Sequence, residues 1–361
     1  MNGMNKLLYL IFTCNMQSSG LRRDVCVRGL AGMGNLYRRL FAAVAFIGLA
    51  APWGASFAQG FPSRQITIVV PFAAGGPSDT MARLVAEAVG TQTGSRVIVE
   101  NMAGAGGTTG SAKVAHAEPD GHTLVFGNIG THAANVGLYK KLPYDPATDF
   151  EPVAIVANVP LVLSVRNSHP AKTLAEFVAQ AKASPGTLNY GSAGVGSASH
   201  LGCLLLDAAI GARSRHVPYR GVGPALNDLV AGQIDFVCDQ TITMMPQIQG
   251  GTIRPLATLS ARRLAALPEL PTLAEAGISD VEVEVWNAIF APKGTPREIT
   301  ARLFEMIAAG LAEGGARKRF IDLGSVIPPR ELAGPEVLRA LVVREVARWR
   351  AGLLAAGVAV Q

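Results

Sequence analysis

The chain has 361 residues, 49% of them hydrophobic and 16% charged, with 40 glycines, which is material for two lobes with cores of their own and argues against disorder. Its formal charge of +6 is not a nucleic-acid signal: residues 1–58 hold six Lys and Arg against Asp24 alone, so the remainder carries only +1. No nucleic-acid partner is expected.

The chain opens with a leader. Arg38 and Arg39 precede an apolar run from Leu40 to Pro52, and "GASFAQG" then sets Ser56 and Ala58 where a signal peptidase reads. The run is well short of the roughly 20 residues that span a bilayer. Residues 1–58 therefore read as a secretory signal cleaved after Ala58, with Met33 as an alternative start, and the mature protein is expected in the periplasm. Beyond the leader only Cys203 and Cys238 remain. An oxidising compartment permits a bridge between them, and two separate buried thiols fit equally well. The histidines stand singly in the sequence, so neither a metal nor a cofactor is expected.

From "QITIVV" onward, strands and helices alternate. That first strand passes through Gly75 and Gly76 into a helix beginning at Pro77, which needs no N–H at a first helical position; Met81, Leu84, Val85, Ala88 and Val89 form its apolar stripe. "RVIVEN" leads through a glycine-rich turn into "GSAKVAHA", and "HTLVFGN" ends at Asn128 before "IGTHAAN". The same grammar returns in "VPLVLSVR", "TLAEFVAQAKA", "TLNYGSA", a helix from about Ala198, "SRHVPYRG", "GPALNDLVAG" and "IDFVCDQ". "VEVEVWNAIFAPKGTP" marks the return, and two amphipathic helices, near Pro296 to Ala312 and Pro335 to Leu354, close the chain. The pattern predicts an α/β protein with mixed, mainly parallel sheets in two lobes, residues 59–160 with 280–361 and residues 161–279, hinged as a clamshell.

Two turns share one design. At Gly75 to Asp79, and again in "NYGSAGVGSASHLG", small residues let a ligand approach the backbone and a helix start supplies unpaired N–H groups, Ser197 being the expected N-cap of the second. Facing each other, they would hold one anion between the lobes. Enzymatic readings fit less well. A dinucleotide fingerprint meets Thr109 where it needs glycine, and "GSAGVGS" lacks the lysine of a phosphate loop. The alternative from another class is a secreted hydrolase using Ser192 or Ser197 with His200 and an Asp.

The motifs "PFAAGGPSD", "VENMAGAGGTTG", "PDGHTL", "THAAN", "LPYDPATDFEPVAIV", "NYGSAGVGSASHL", "VPYRGVGPALNDLVAGQIDF", "LPELPTLAEAGI" and "FAPKGTP" follow in order across nearly all of residues 62–296. Together they resemble the Bug receptor family, the TctC-like periplasmic solute-binding proteins of tripartite tricarboxylate transporters. The resemblance implies a type II periplasmic binding fold and a monomeric, non-enzymatic receptor. It would capture a di- or tricarboxylate, an acidic amino acid or an aromatic acid and deliver it to transporter subunits in the membrane; some relatives act in sensing instead. It also implies that the loops Phe72 to Asp79 and Ser192 to Ser199 grip the ligand, with Thr131, Tyr219, Gly221 and Asp239 completing the pocket. The candidate contacts are Phe72, Gly75, Gly76, Ser78, Asp79, Asn128, Thr131, Ser192, Gly194, Ser197, Ser199, Tyr219, Gly221 and Asp239. Asp79 serves equally well as a ligand contact or as a first-turn carboxylate favoured by the helix dipole. Asp239 at a strand end would repel an anion unless it met an amine, a water or a backbone donor. Trp286 and Phe290 read as packing residues.

Overall fold

The computed structural model describes residues 60–279 and 281–355; the leader expected over residues 1–58 lies outside the described residues. The β-branched run of β1 (Ile66–Val70) sits between β2 (Val97–Asn101) and β3 (Thr123–Asn128), parallel to both. Helix α1 (Pro77–Thr93) turns Met81, Leu84, Val85, Ala88 and Val89 into the core as its sequence spacing requires. After β3 come a π turn (Gly130–Ala134) and a single helical turn, α3 (Asn135–Leu138); the short helix α2 (Thr108–Ala115) precedes them.

The 17-residue strand β4 (Phe150–Arg166) then runs through both sheets. Its first part, 150–160, pairs antiparallel with β9 (Glu284–Pro292), which in turn lies antiparallel to β3. Its second part, 161–166, pairs antiparallel with β7 (Phe236–Gln240) and β8 (Ile253–Thr258). Pro160, which has no N–H to donate, stands at the changeover. Parallel to β7 lies β5 (Asn189–Ser192), and parallel to β5 lies β6 (Arg215–Pro218). The sheets are mixed: strands that start each unit are parallel, and the strands that cross between the units are antiparallel. This is a two-lobed α/β architecture.

Helices α4 (Leu174–Ala183), α5 (Ala198–Ile210), α6 (Val222–Val230) and α7 (Thr241–Gln249) belong with the second sheet. Thr173 and Glu176 cap α4 reciprocally, each side chain bonding the other's backbone N–H. At the C-terminal end, α8 (Arg297–Ala312) and α10 (Pro335–Ala355) match the two amphipathic helices read from the sequence, while α9 (Gly314–Asp322) was not anticipated. Its two leading glycines and its single buried residue, Phe320, give no periodic signal. This end of the chain is tied to β4 by paired backbone bonds of 2.8 Å between Asn158 and Val326 and by Ile155 N donating to Ala333 O at 2.8 Å.

Trp286 and Phe290 are buried packing residues, as expected. Cys203 and Cys238 are free and fully buried in one apolar cluster, and burial pushes the Cys203 thiol up. No described helix is long and apolar enough to cross a membrane.

Candidate functional site

The turn after β1 is fixed by a carboxylate that is outside the lining of the recess between the lobes. Asp79 Oδ2 accepts from Gly75 N at 3.0 Å, its Oδ1 accepts from Asn101 Nδ2 at 2.9 Å and from Arg83 Nη2 at 2.9 Å, and Asn101 Nδ2 also reaches Phe72 O at 3.1 Å. Burial alone would raise the Asp79 carboxyl, but the bonds from Arg83, Gly75 and Asn101 outweigh it and hold it below the usual carboxylate range. Asp79 is thus a brace for the loop. The N–H of Gly75 is taken by this brace, but the N–H groups of Ser78 and Asp79, at the start of α1, have no protein partner among the described residues.

The turn after β5 is built differently. Ser197 caps α5, its Oγ accepting from His200 N at 3.3 Å and donating to Gly194 O at 2.7 Å. Ser199 Oγ accepts from Ala193 N at 3.0 Å. Beneath the loop, Gly196 N donates to His200 Nδ1 at 3.2 Å, and Ser192 Oγ lies 2.6 Å from His216 Nε2. The His216 ring stacks on Tyr190 at 4.9 Å and lies 4.4 Å from the His200 ring. Burial lowers His200 to about 3, helped by the neighbouring His216, and lowers His216 to about 4, so both rings are neutral near pH 7 and His200 Nδ1 is free to accept. Among the described residues the amides of Ala198 and Ser199 have no protein partner.

Two further strand-to-helix turns arrive at the same place, Gly221–Val222 at the start of α6 and Gln240–Thr241 at the start of α7. Between the four turns lies a narrow recess of about 20 Å³, lined by Phe72, Gly76, Pro77, Ser78, Asn128, Ala193, Ser197, Ala198, Ser199, Val222, Asp239 and Gln240. None of these carries a positive charge, so electrostatic attraction for an anion comes from helix starts and their free N–H groups. Asn128 is oriented by accepting from Gly130 N at 2.9 Å, and Gln240 by accepting from Asn287 Nδ2 at 2.8 Å. Asp239 is 1% exposed, accepts from Thr243 Oγ1 at 2.6 Å, and is pushed up to about 7 by burial.

The lobes touch around the recess. Ala73 N donates to Arg220 O at 3.0 Å and Tyr139 Oη to Val195 O at 2.9 Å. Glycines allow this approach: a Cβ on Gly106, whose φ is +59°, would overlap the Val195 carbonyl oxygen, and one on Gly130 would overlap that of Gly196.

Of the residues singled out from the sequence, Phe72, Gly76, Ser78, Asn128, Ser197, Ser199 and Asp239 line the recess. The others stand behind it or beside it. Besides Asp79, Gly75 opens onto a separate groove, and Thr131 is fully buried against Asn128 N and His132. Gly194 packs near Gly106 and Gly221 against Ala73, both across the cleft. Tyr219 spends its hydroxyl on Asp228 Oδ2 at 2.6 Å. Ser192 is committed to His216, not to His200, and among the described residues no carboxylate bonds that histidine, so the three groups of a hydrolase triad are not assembled. Sequence reasoning missed Pro77, Ala193, Ala198, Val222 and Gln240; four of these are the N-cap or first residue of a helix that follows a strand, a position that could have been read directly.

A family model described as tripartite tricarboxylate transporter family receptor matches residues 81–324. Among solved structures, the periplasmic binding protein BugD is 38% identical with a TM-score of 0.81, covering 83% of this chain and 100% of its own. MatC from Rhodopseudomonas palustris with bound malate is 42% identical with a TM-score of 0.78, covering 81% and 99%. Another R. palustris protein, with adipate, is 36% identical with a TM-score of 0.79, covering 83% and 100%. These are binding proteins, not enzymes. A two-lobed α/β chain whose helix starts converge on a recess without cations, matched by this family model over most of its length, belongs to the tripartite tricarboxylate transporter family receptors.

Proposed function

We propose that this chain captures a small carboxylate, such as a dicarboxylate, a tricarboxylate, an acidic amino acid or an aromatic acid, in the recess between its lobes and delivers it to a tripartite tricarboxylate-type transporter. In this reading residues 1–58 direct it to the periplasm, residues 59–160 with 280–361 form one lobe, and residues 161–279 form the other. The observation that carries the proposal is the pair of free amides at each of two facing helix starts, Ser78 with Asp79 and Ala198 with Ser199. A carboxylate has four lone-pair sites and suits such a set of donors without any basic side chain. Phe72 and Val222 supply apolar walls, and Asn128, Ser197, Ser199 and Gln240 supply side-chain polar groups. Relatives with malate and adipate support the ligand class.

Native mass spectrometry of protein purified from its own host, followed by calorimetry with the retained compound and with malate and adipate, tests this. A retained or titrated carboxylate binding one to one is expected. Binding of a neutral or cationic solute, with no response to any carboxylate, would overturn the assignment.

A further inference from the structure

Asp239 is the only ionisable side chain in the lining of the recess, and it is an acid in a site whose other features favour anions. Among the described residues no cation pairs with it. On the elements packed around β7, Arg166 of β4 is paired with Asp235, Asp228 of α6 is bonded by Tyr219, Asp207 of α5 by Ser214, and α7 carries no charged residue. The titratable groups left on those elements are Tyr190 of β5, His200 and Cys203 of α5 and Cys238 of β7 itself, all buried, and Glu151 at the far end of β4, paired with Arg339. Across the recess, Asp79 and Arg83 of α1 are bound to each other. An ionised Asp239 would therefore face the incoming carboxylate with nothing to neutralise it.

Burial outweighs the bonds from Thr243 and from the Gln240 amide, which favour the charged form, and the Thr243 bond is a shared one. The single Thr243 hydroxyl proton is placed between two acceptors, Asp239 Oδ2 at 2.6 Å and Gln240 O at 3.2 Å. It cannot serve both fully. A proton on Asp239 removes the conflict, because the acid can then donate while Thr243 serves the carbonyl.

We infer that Asp239 enters the closed, liganded site as a carboxylic acid, so that capture of a dicarboxylate takes up one proton from solvent. The inference rests on the carboxylate reading above. In an open form that admits water to the β7 end, Asp239 would be an ordinary ionised carboxylate; closing the lobes over an anion would then transfer the cost of burial to its charged form, and the proton would restore neutrality. The burial that pushes its carboxyl up to about 7 even without a ligand is consistent with this. Affinity then rises with acidity over the window between the open and closed values.

The test is calorimetry with malate, adipate and aspartate at pH 6.5, in buffers of differing ionisation heat, repeated between pH 6 and pH 7. Uptake of close to one proton per bound malate or adipate is expected, with affinity falling about tenfold per pH unit. Asp239→Asn has no proton to gain, so both the uptake and the pH slope should vanish; the wild-type measurement decides the matter should the variant fail to fold. Binding of malate or adipate without proton uptake overturns the inference and leaves the carboxylate reading intact. Binding of aspartate alone, without uptake and abolished in Asp239→Asn, would show an ionised Asp239 paired with an ammonium group and also overturn it. Failure to bind any of the three, and equally citrate and benzoate, sinks the carboxylate reading and this inference together.

Discussion

Replacing Gly221 by Ala should weaken binding while leaving the separate lobes sound. Gly221 has an extended backbone (φ 178°) that any residue adopts, so alanine introduces no strain within its own lobe. Across the cleft, however, a Cβ there would lie 2.9 Å from both the backbone N and the Cβ of Ala73. Carbon atoms rest at about 3.5–4.0 Å, so the lobes must part by roughly half an ångström or more. The neighbouring bond from Ala73 N to Arg220 O, 3.0 Å long, is stretched by the same displacement. Overpacking costs about 1–3 kcal/mol and a weakened hydrogen bond about 0.5–1.5 kcal/mol, and both fall on the closed form alone. A total of about 1.5–4.5 kcal/mol corresponds to an affinity loss of roughly ten- to two-thousandfold. Calorimetry with malate and adipate reads the affinity; thermal melting of the unliganded protein should move little, by the modest difference between Gly and Ala at an N-cap. A well-folded Gly221→Ala protein that binds within threefold of the parent would show that the Ala73–Gly221 approach is no part of the liganded state.

Asp79→Ala should cost roughly 1–3 kcal/mol, because Gly75 N and Asn101 lose a buried acceptor; the ion pair adds little, Arg83 being half exposed. Urea unfolding measures this, and a stability equal to the parent's would mean that the brace is idle. Since the native Asp79 carboxyl is held low, its contribution is present above the unfolded value near 3.9 and fades as pH falls through the folded one. His200 and His216 act in the other window. Their native values, about 3 and about 4, lie below the ordinary 6.5, so the stability they carry as neutral rings is whole above pH 6.5 and drains as pH falls towards 4. Unfolding curves from pH 7 to pH 4.5 should show a shallower decline in the His200→Gln, His216→Gln double variant; parallel declines would count against the assignment.

The helix starts were the most legible part of the site. Pro77 at a first helical position and Ser197 at an N-cap are local chemistry, decided within a few residues, and both stand where the sequence puts them. The work of Asp79 was harder to read. Arg83 lies one helical turn on and so was visible in principle, but Asn101 arrives from β2, and only the fold brings it to the same carboxylate. His216 is similar: it meets Ser192 because β5 and β6 run parallel with Ser192 opposite Pro218, a register that no local pattern reveals. The long strand β4 hid its nature altogether, since an apolar run does not announce that its two halves have different partners.

The position of β9 bears on the order in which the protein can assemble. It lies between β3 and β4, inside the first sheet, yet it is made after every strand of the second. Until Glu284–Pro292 is available, β3 and the first part of β4 each present an open edge of unpaired N–H and C=O groups, a template for pairing with other chains. The sheet that begins first is therefore completed last, through contacts well over a hundred residues apart, which is the kind of topology that folds slowly and is exposed to aggregation while it waits. A nascent chain that ends between β8 and β9 already contains every strand of the second sheet and lacks the one strand that joins β3 to β4, so the later-made half can order first and serve as the surface on which the earlier-made half closes.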